Sequence, residues 1–176
     1  MRFSLRSLFG AVVVASIAMA ILMYLTIDYR KQLAIHSSLQ EMGAYSVQFG
    51  ARNSFQASFH DPVRTSDISN FSEIGCLDFK EAHVTDESLA NLSELESVSL
   101  IIFSLSDVRD DHLRHLKEIG KVRHLWLSHT GLTDACVEHL IDVPGLESVK
   151  VAKSQITLSG IKRLREARPS VIVRDE

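Results

Sequence analysis

A short motif that begins with an aliphatic residue followed by a polar one occurs four times in the C-terminal part of the chain. Its copies begin at Val84, Val108, Leu132 and Ile156, each 24 residues after the one before. A repeat of this length predicts a solenoid, in which each repeat is one supersecondary unit that stacks on its neighbours. The period therefore constrains the architecture before any single side chain is considered.

Each repeat combines two periodicities of apolar residues. Leu113 and Leu116 recur at helical spacing, so one part of the repeat should be a helix with one buried side. The other part ends in alternation, which suits a short strand with one buried face. The strand pattern is found in Ile74-x-x-Leu77-x-Phe79, Leu95-x-x-Val98-x-Leu100, Val122-x-x-Leu125-x-Leu127 and Leu146-x-x-Val149-x-Val151. Stacked repeats would pair these strands side by side in a parallel sheet.

One repeat is irregular under this alignment. Leu89 and Val98 are 9 positions apart, whereas Leu113 and Leu125 are 12 apart. The three missing residues return after the strand, so residues 101–105 (Ile-Ile-Phe-Ser-Leu) are predicted to form a bulging apolar turn. This turn would serve either as extra packing or as part of a contact surface.

The order strand, turn, helix over residues 73–176 resembles the leucine-rich repeat in its ribonuclease-inhibitor-like form. The resemblance implies an α/β fold, a short solenoid with parallel strands on the concave side and helices on the convex side. It also implies an Asn or a small hydroxyl residue after each strand, which bonds the turn backbone. Thr130 and Ser154 fit that position, and Ala82 does not.

The N-terminal residues predict a membrane anchor. Residues 7–27 carry no charged side chain, and as a helix they would span roughly 30 Å, the thickness of a bilayer core. Arg2 and Arg6 precede this span, so residues 1–6 are predicted to be a cytoplasmic tail and the repeats to lie outside the cytoplasm. The alternative is a signal peptide cleaved near Ala18-Met19-Ala20, which would give a secreted form.

The opening Arg2-Phe3-Ser4-Leu5-Arg6-Ser7-Leu8, followed by the apolar span and then the repeats, resembles short membrane-anchored leucine-rich-repeat proteins of the planctomycete type. That resemblance covers nearly the whole chain. It implies a single-pass membrane protein that carries a repeat domain, and it implies no particular activity.

Two segments link the predicted span to the repeats. Residues 28–43 continue with apolar residues on one side of a helix up to a glycine, which predicts a juxtamembrane helix. Residues 44–72 are predicted to form an N-terminal cap and loop, because Tyr45–Phe49 and Phe55–Phe59 each alternate apolar and polar residues and suit a hairpin. The hairpin would cover the exposed edge of the first repeat strand.

The sequence offers no assembled catalytic chemistry. It lacks a nucleophile elbow, a phosphate-binding glycine loop and a zinc-protease helix motif. His112, His115, Cys136 and His139 have spacings that suit metal ligands, but corresponding residues of successive repeats should point the same way, about 10 Å apart. Asp110-Asp111 begins a predicted helix, where acidic residues commonly stabilise the N–H groups. We therefore predict a protein that is not an enzyme, with no cofactor and no small-molecule substrate.

A binding surface remains as the candidate site. The residues that alternate with the buried strand residues should face the concave side; the predicted protein-binding residues are Asp78, Ser99, His124, Trp126 and Lys150. Trp126 is the chain's only tryptophan. It has two interpretations: an anchor for a protein partner, or a cover over its strand neighbours Ser99 and Lys150.

The sequence favours a membrane-anchored module for protein–protein recognition or scaffolding, with an unidentified protein partner. A net charge of −3 and the lack of a basic stripe argue against nucleic-acid binding. One alternative is a structural or assembly element that acts through its transmembrane and juxtamembrane helix. A further alternative is an uncharacterised hydrolase or metal protein.

Overall fold

The computed structural model describes two units of the chain. The described residues are 16–19, 21–23, 29–30, 33–34, 36–37, 40, 44–49, 55–59 and 73–176. The first unit is Met1–Ser37, whose described residues are helical, and the second is Ser38–Glu176. Among the described residues, no helix combines the length and the apolar character needed to cross a bilayer. Most of the predicted span over 7–27 and most of the predicted helix over 28–43 lie outside the described residues.

A seven-stranded sheet forms the second unit, and its strands follow the order of the chain from edge to edge. The strands are β1 Ala44–Phe49, β2 Phe55–Phe59, β3 Glu73–Asp78, β4 Ser97–Ile102, β5 Val122–Trp126, β6 Ser148–Lys150 and β7 Ile172–Arg174. The β1–β2 pair is antiparallel and every later pair is parallel. The fold is therefore α/β with a mostly parallel sheet, as the alternating patterns predict.

The predicted hairpin is confirmed. Phe49 of β1 pairs with Phe55 of β2 in an antiparallel arrangement. Strand β2 then pairs with β3 in parallel, and Ala57 lies beside Leu77. The hairpin thus occupies the edge that β3 would otherwise expose. Its residues Ala44, Ala57 and Phe59 are buried.

From β3 to β7 the sheet keeps one register. Each paired residue lies beside the residue 24 positions later, so Leu77, Ile101, Leu125, Val149 and Val173 form one continuous row. All five side chains are buried. Burial of aliphatic surface favours the folded state. The 24-residue period of the aliphatic residues in the sequence therefore corresponds to the 24-residue offset between paired strands.

The predicted bulge over residues 101–105 is wrong. Ile101 and Ile102 belong to β4, and Phe103 is fully buried beyond the end of the strand. The repeat pattern fits this stretch twice: as Leu95-x-x-Val98-x-Leu100 and as Val98-x-x-Ile101-x-Phe103. The second alignment is the one that forms, because it places Phe103 against Phe79 with ring centroids 5.2 Å apart.

Short helical segments connect the strands. They are the α-helices α1 Asp86–Ala90, α2 Val137–Ile141 and α3 Leu158–Ala167, and the 3₁₀ segments Asn91–Glu94, Asp110–Glu118 and Asp134–Cys136. Leu113 and Leu116 are buried as predicted, but their segment is a 3₁₀ helix and not an α-helix. A 3₁₀ helix rises about 2.0 Å per residue, against about 1.5 Å for an α-helix, so the same number of residues covers a longer distance.

The turns after the strands also repeat. The hydroxyl groups of Ser106, Thr130 and Ser154 each donate a hydrogen bond to the carbonyl oxygen three residues earlier, at 2.6, 2.7 and 2.7 Å. These bonds satisfy backbone groups at the bend. The hydroxyl function predicted for Thr130 and Ser154 is confirmed, and Ser106 joins them because its repeat is in regular register.

Candidate interaction face

One face of the parallel strands carries the residues that alternate with the buried row. Pairing aligns them in two further rows: Cys76, Leu100, His124, Ser148 and Ile172, and beside it Asp78, Ile102, Trp126, Lys150 and Arg174. Successive side chains of a strand point to opposite faces, so these ten residues share one face. We call this set the open face.

Four of the predicted binding residues lie on the open face: Asp78, His124, Trp126 and Lys150. Ser99 is not in either row. The three-residue shift in the register of β4 places Leu100 beside His124 and Ile102 beside Trp126. The face is therefore more apolar at β4 than predicted, and Trp126 has Ile102 and Lys150, not Ser99, as its neighbours in register.

Sequence analysis missed Leu100, Ile102, Ile172 and Arg174 as members of this face. A signal for the first two was present. Ser106 lies 24 residues before Thr130, and aligning the two turn hydroxyls gives the observed register of β4. Ile172 and Arg174 follow from continuing the same period by one more repeat.

Trp126 is the largest exposed side chain on the open face. It is 43% exposed, and Ile172 at the β7 end is 58% exposed, whereas Ile102 between Asp78 and Trp126 is only 9% exposed. Leaving a large apolar surface in water costs free energy, and such surfaces commonly mark interaction sites. The exposed apolar area is thus concentrated on the half of the face that begins at Trp126.

The charges on the open face are separated by sign. Asp78 lies on β3, whereas Lys150 and Arg174 lie on β6 and β7. An oxygen of Asp78 accepts a hydrogen bond from the backbone N–H of Lys80 at 3.0 Å. Over residues 73–176, none of these three charged groups takes part in an ion pair.

Both cysteines are buried as free thiols. Burial, with a smaller contribution from Asp78, raises the pKa of Cys76 to about 12. Burial also raises the pKa of Cys136 to about 12, assisted by Asp110 and Asp134. A thiol acts as a nucleophile in its deprotonated form, so both groups are poor nucleophiles at neutral pH.

Two of the three histidines considered as metal ligands, His112 and His115, have other side-chain contacts. His112 is buried; its Nδ1 accepts a hydrogen bond from the backbone N–H of Arg109 at 3.3 Å, and burial lowers its pKa. His115 Nε2 lies 3.1 Å from a carboxylate oxygen of Asp86. Among the residues with a described position, no group of three or more His, Cys, Asp or Glu is placed to hold a metal ion.

The carboxylates at the starts of the helical segments bridge successive repeats. Asp110 accepts hydrogen bonds from the backbone N–H of Thr133 at 2.8 Å and from its hydroxyl at 2.7 Å. Asp134 makes the same two bonds with Thr157, both at 2.7 Å. Sequence analysis placed Asp110 as a cap of its own helix, and the structure adds this link to the next repeat. The link orients the repeats and, with them, the open face.

The Asp134 link predicts an acid-dependent stability. Hydrogen bonds from the hydroxyl and the backbone N–H of Thr157 lower the pKa of Asp134. Because the folded pKa lies below the unfolded value of about 3.9, the stabilisation is present above that value and is lost as pH falls through the folded pKa. We expect the melting temperature to be nearly level from about pH 7 to 5 and to fall below about pH 4.

Thermal unfolding of the full chain in detergent at pH 7, 5 and 3 measures this effect. Asp134→Asn removes the titrating group, so the melting temperature of this variant should fall less between pH 5 and pH 3 than that of the wild type. Asp142 has an exposed side chain without such a link, so Asp142→Asn is the matched control and should keep the wild-type fall. An equal fall in Asp134→Asn would contradict the assignment.

No family model and no curated protein sequence matches this chain. The geometry alone therefore defines its class: an α/β protein with a mostly parallel sheet, whose strands β3 to β7 pair in a 24-residue register and whose open face carries an exposed tryptophan between charges of opposite sign.

Proposed function

We propose that this chain is a membrane-anchored leucine-rich-repeat protein that recognises another protein through its open face and has no enzymatic activity. The single observation that carries the proposal is the exposure of Trp126, 43%, at the middle of an ordered row of side chains. Tryptophan is enriched among the residues that dominate protein–protein binding energies.

The leucine-rich-repeat part of the proposal has three supports. Strands pair with a constant 24-residue offset, buried aliphatic residues recur in that register, and hydroxyl residues bond the turn after the strand in three successive repeats. A solenoid of such units would have its strands on the concave side and its helical segments on the convex side, and the open face would then be the concave surface.

The membrane part of the proposal is supported by the uncharged run over residues 7–27 and by the basic residues that precede it. Such a span places the N-terminus in the cytoplasm and the repeats on the other side of the membrane. Anchoring limits where the open face can meet its partner. It would make the protein a recognition or scaffold module of the cell envelope.

Rigid presentation is the mechanism that we propose for binding. The side chains of the open face come from hydrogen-bonded strands whose other face is packed into the core. Little backbone therefore has to be ordered when a partner arrives, and the conformational entropy cost of binding is low. Trp126 would supply apolar contact area, and Asp78 and Lys150 would set the orientation of the partner.

Site-specific photo-crosslinking in cells tests this proposal. A photoreactive residue at position 126 should crosslink to a protein, whereas one at the exposed Lys117, on a helical segment, should not. We also expect Trp126→Ala to lower crosslinking from position 150 by on the order of tenfold, since an anchor residue contributes a large part of the binding energy. Crosslinks from the exposed Tyr29 alone would contradict the proposal and favour an assembly element that acts through its N-terminal segment.

A further inference from the structure

Asp78 and Lys150 lie at equal distances from the line midway between β4 and β5. In the row on β3 to β6, the order is Asp78, Ile102, Trp126, Lys150. Neighbouring strands are about 4.8 Å apart, so each charged residue lies roughly 7 Å from the line midway between β4 and β5. An acid and a base thus flank an apolar pair symmetrically.

This order is complementary to itself. Consider a two-fold axis that lies in the plane of the interface, parallel to the strands and midway between β4 and β5. It would place Asp78 opposite Lys150 of a second copy, and Ile102 opposite Trp126 of that copy. In the other row it would place Leu100 opposite His124. In the row from Asp78 to Lys150, charge therefore meets opposite charge and apolar meets apolar, as an isologous interface requires.

We infer that the protein binds a second copy of itself, face to face, through the open face. This inference rests on the proposed function and names the partner of the same surface. Asp78 and Lys150 support it because neither has an ion-pair partner over residues 73–176, although Asp78 lies beside Ile102 and Lys150 lies beside Trp126. The pairing between copies would supply both partners.

The size of the face limits the strength of this interface. Four strand spacings from β3 to β7 cover roughly 19 Å, and only two rows of side chains are presented. Such an area falls at or below the lower end of stable interfaces, which bury about 1,200–2,000 Å² in total. We expect a reversible dimer with a dissociation constant on the order of micromolar.

Charge-reversal variants distinguish this dimer from other modes of self-association. Two differently tagged copies of the full chain, purified in detergent, are mixed, and co-capture is measured over a concentration series. Asp78→Lys places a cation opposite Lys150, and Lys150→Asp places an acid opposite Asp78. Each variant should associate with itself at least about tenfold more weakly than the wild type, because symmetry turns two attractions into two repulsions.

Co-capture of the two variants with each other is the decisive measurement. Asp78→Lys on one tag and Lys150→Asp on the other bring opposite charges together at both contacts, so co-capture should return to near the wild-type level. The matched control is Lys117→Asp, which makes the same change in charge at an exposed helical position. It should leave self-association unchanged and should not restore the Asp78→Lys variant.

The outcomes distinguish this inference from the proposed function. Loss in each variant with recovery in the mixture supports the two-fold dimer. Unchanged association of the single variants, or failure of the mixture to recover, overturns it. If crosslinks from position 126 reach a different protein while the wild type does not self-associate, the dimer is overturned and the proposed function stands. If position 126 gives no crosslink at all, both are overturned.

Discussion

Phe103→Ala should destabilise the protein by about 3–5 kcal/mol, the usual loss when a buried phenylalanine is truncated. Phe103 is fully buried and is the last member of a stack in which the ring centroids of Phe59 and Phe79 are 5.4 Å apart and those of Phe79 and Phe103 are 5.2 Å apart. The substitution leaves a cavity beside Phe79 and removes a ring contact. The loss is a large part of a typical stability of about 5–15 kcal/mol.

Urea unfolding of the full chain in detergent measures this loss. Leu105→Ala is the matched control, because Leu105 belongs to the same apolar stretch but is 47% exposed, and it should change the free energy of unfolding by less than about 0.5 kcal/mol. The opposite ranking, with a small loss at Phe103 and a large one at Leu105, would show that β4 pairs in the other register.

Gly120→Ala should cost about 2–3 kcal/mol, in the upper part of the range for overpacking. A Cβ atom at this position would lie 2.5 Å from the backbone oxygen of Glu96 and 3.2 Å from its carbonyl carbon. Gly120 also donates a backbone hydrogen bond to Leu95 at 3.0 Å. The clash is with backbone and not with a movable side chain, so the two repeats must move apart.

Gly131→Ala provides the control for this prediction. A Cβ atom at Gly131 would meet nothing within 4 Å, and its φ angle is not positive. Its free energy of unfolding should stay within about 0.5 kcal/mol of the wild type. Chemical denaturation of both variants beside the wild type is sufficient. Equal stability of the two variants would contradict the close approach of Gly120 to Glu96.

Much of the fold could be predicted from periodicity. The 24-residue spacing of the aliphatic positions indicates parallel strands, and the alternation in 45–49 and 55–59 indicates the hairpin that pairs with β3. These features follow from which faces must be buried.

The register of β4 could not be derived from its own residues. Val98, Leu100, Ile101, Ile102 and Phe103 are all apolar, so local alternation does not show which of them face the core. The choice depends on contacts with the flanking repeats, above all the packing of Phe103 against Phe79. The residues of the open face are those that alternate with the buried ones, so an error in the register exchanges the two sets. For this reason the sequence placed Ser99 on the open face and did not indicate Leu100 and Ile102.

The turns show another limit of sequence reasoning. Glu81, Leu105, His129 and Lys153 have φ angles of 61, 64, 58 and 56° and lie 24 residues apart. This conformation favours glycine, and none of the four is glycine. Their conformation is imposed by the neighbouring turn bonds of each repeat, and no property of the individual residues indicates it.

Disulfide trapping tests the register on which the open face depends. In the full chain with Cys76→Ala and Cys136→Ala, mild oxidation should link Ile102→Cys to Trp126→Cys, because paired residues on adjacent strands are about 4.8 Å apart, within the reach of a disulfide. The pair Ser99→Cys and Trp126→Cys should stay reduced, since three residues along the strand separate them by about 11 Å. Linking of the second pair and not the first would contradict the 24-residue register and the rows of the open face built on it.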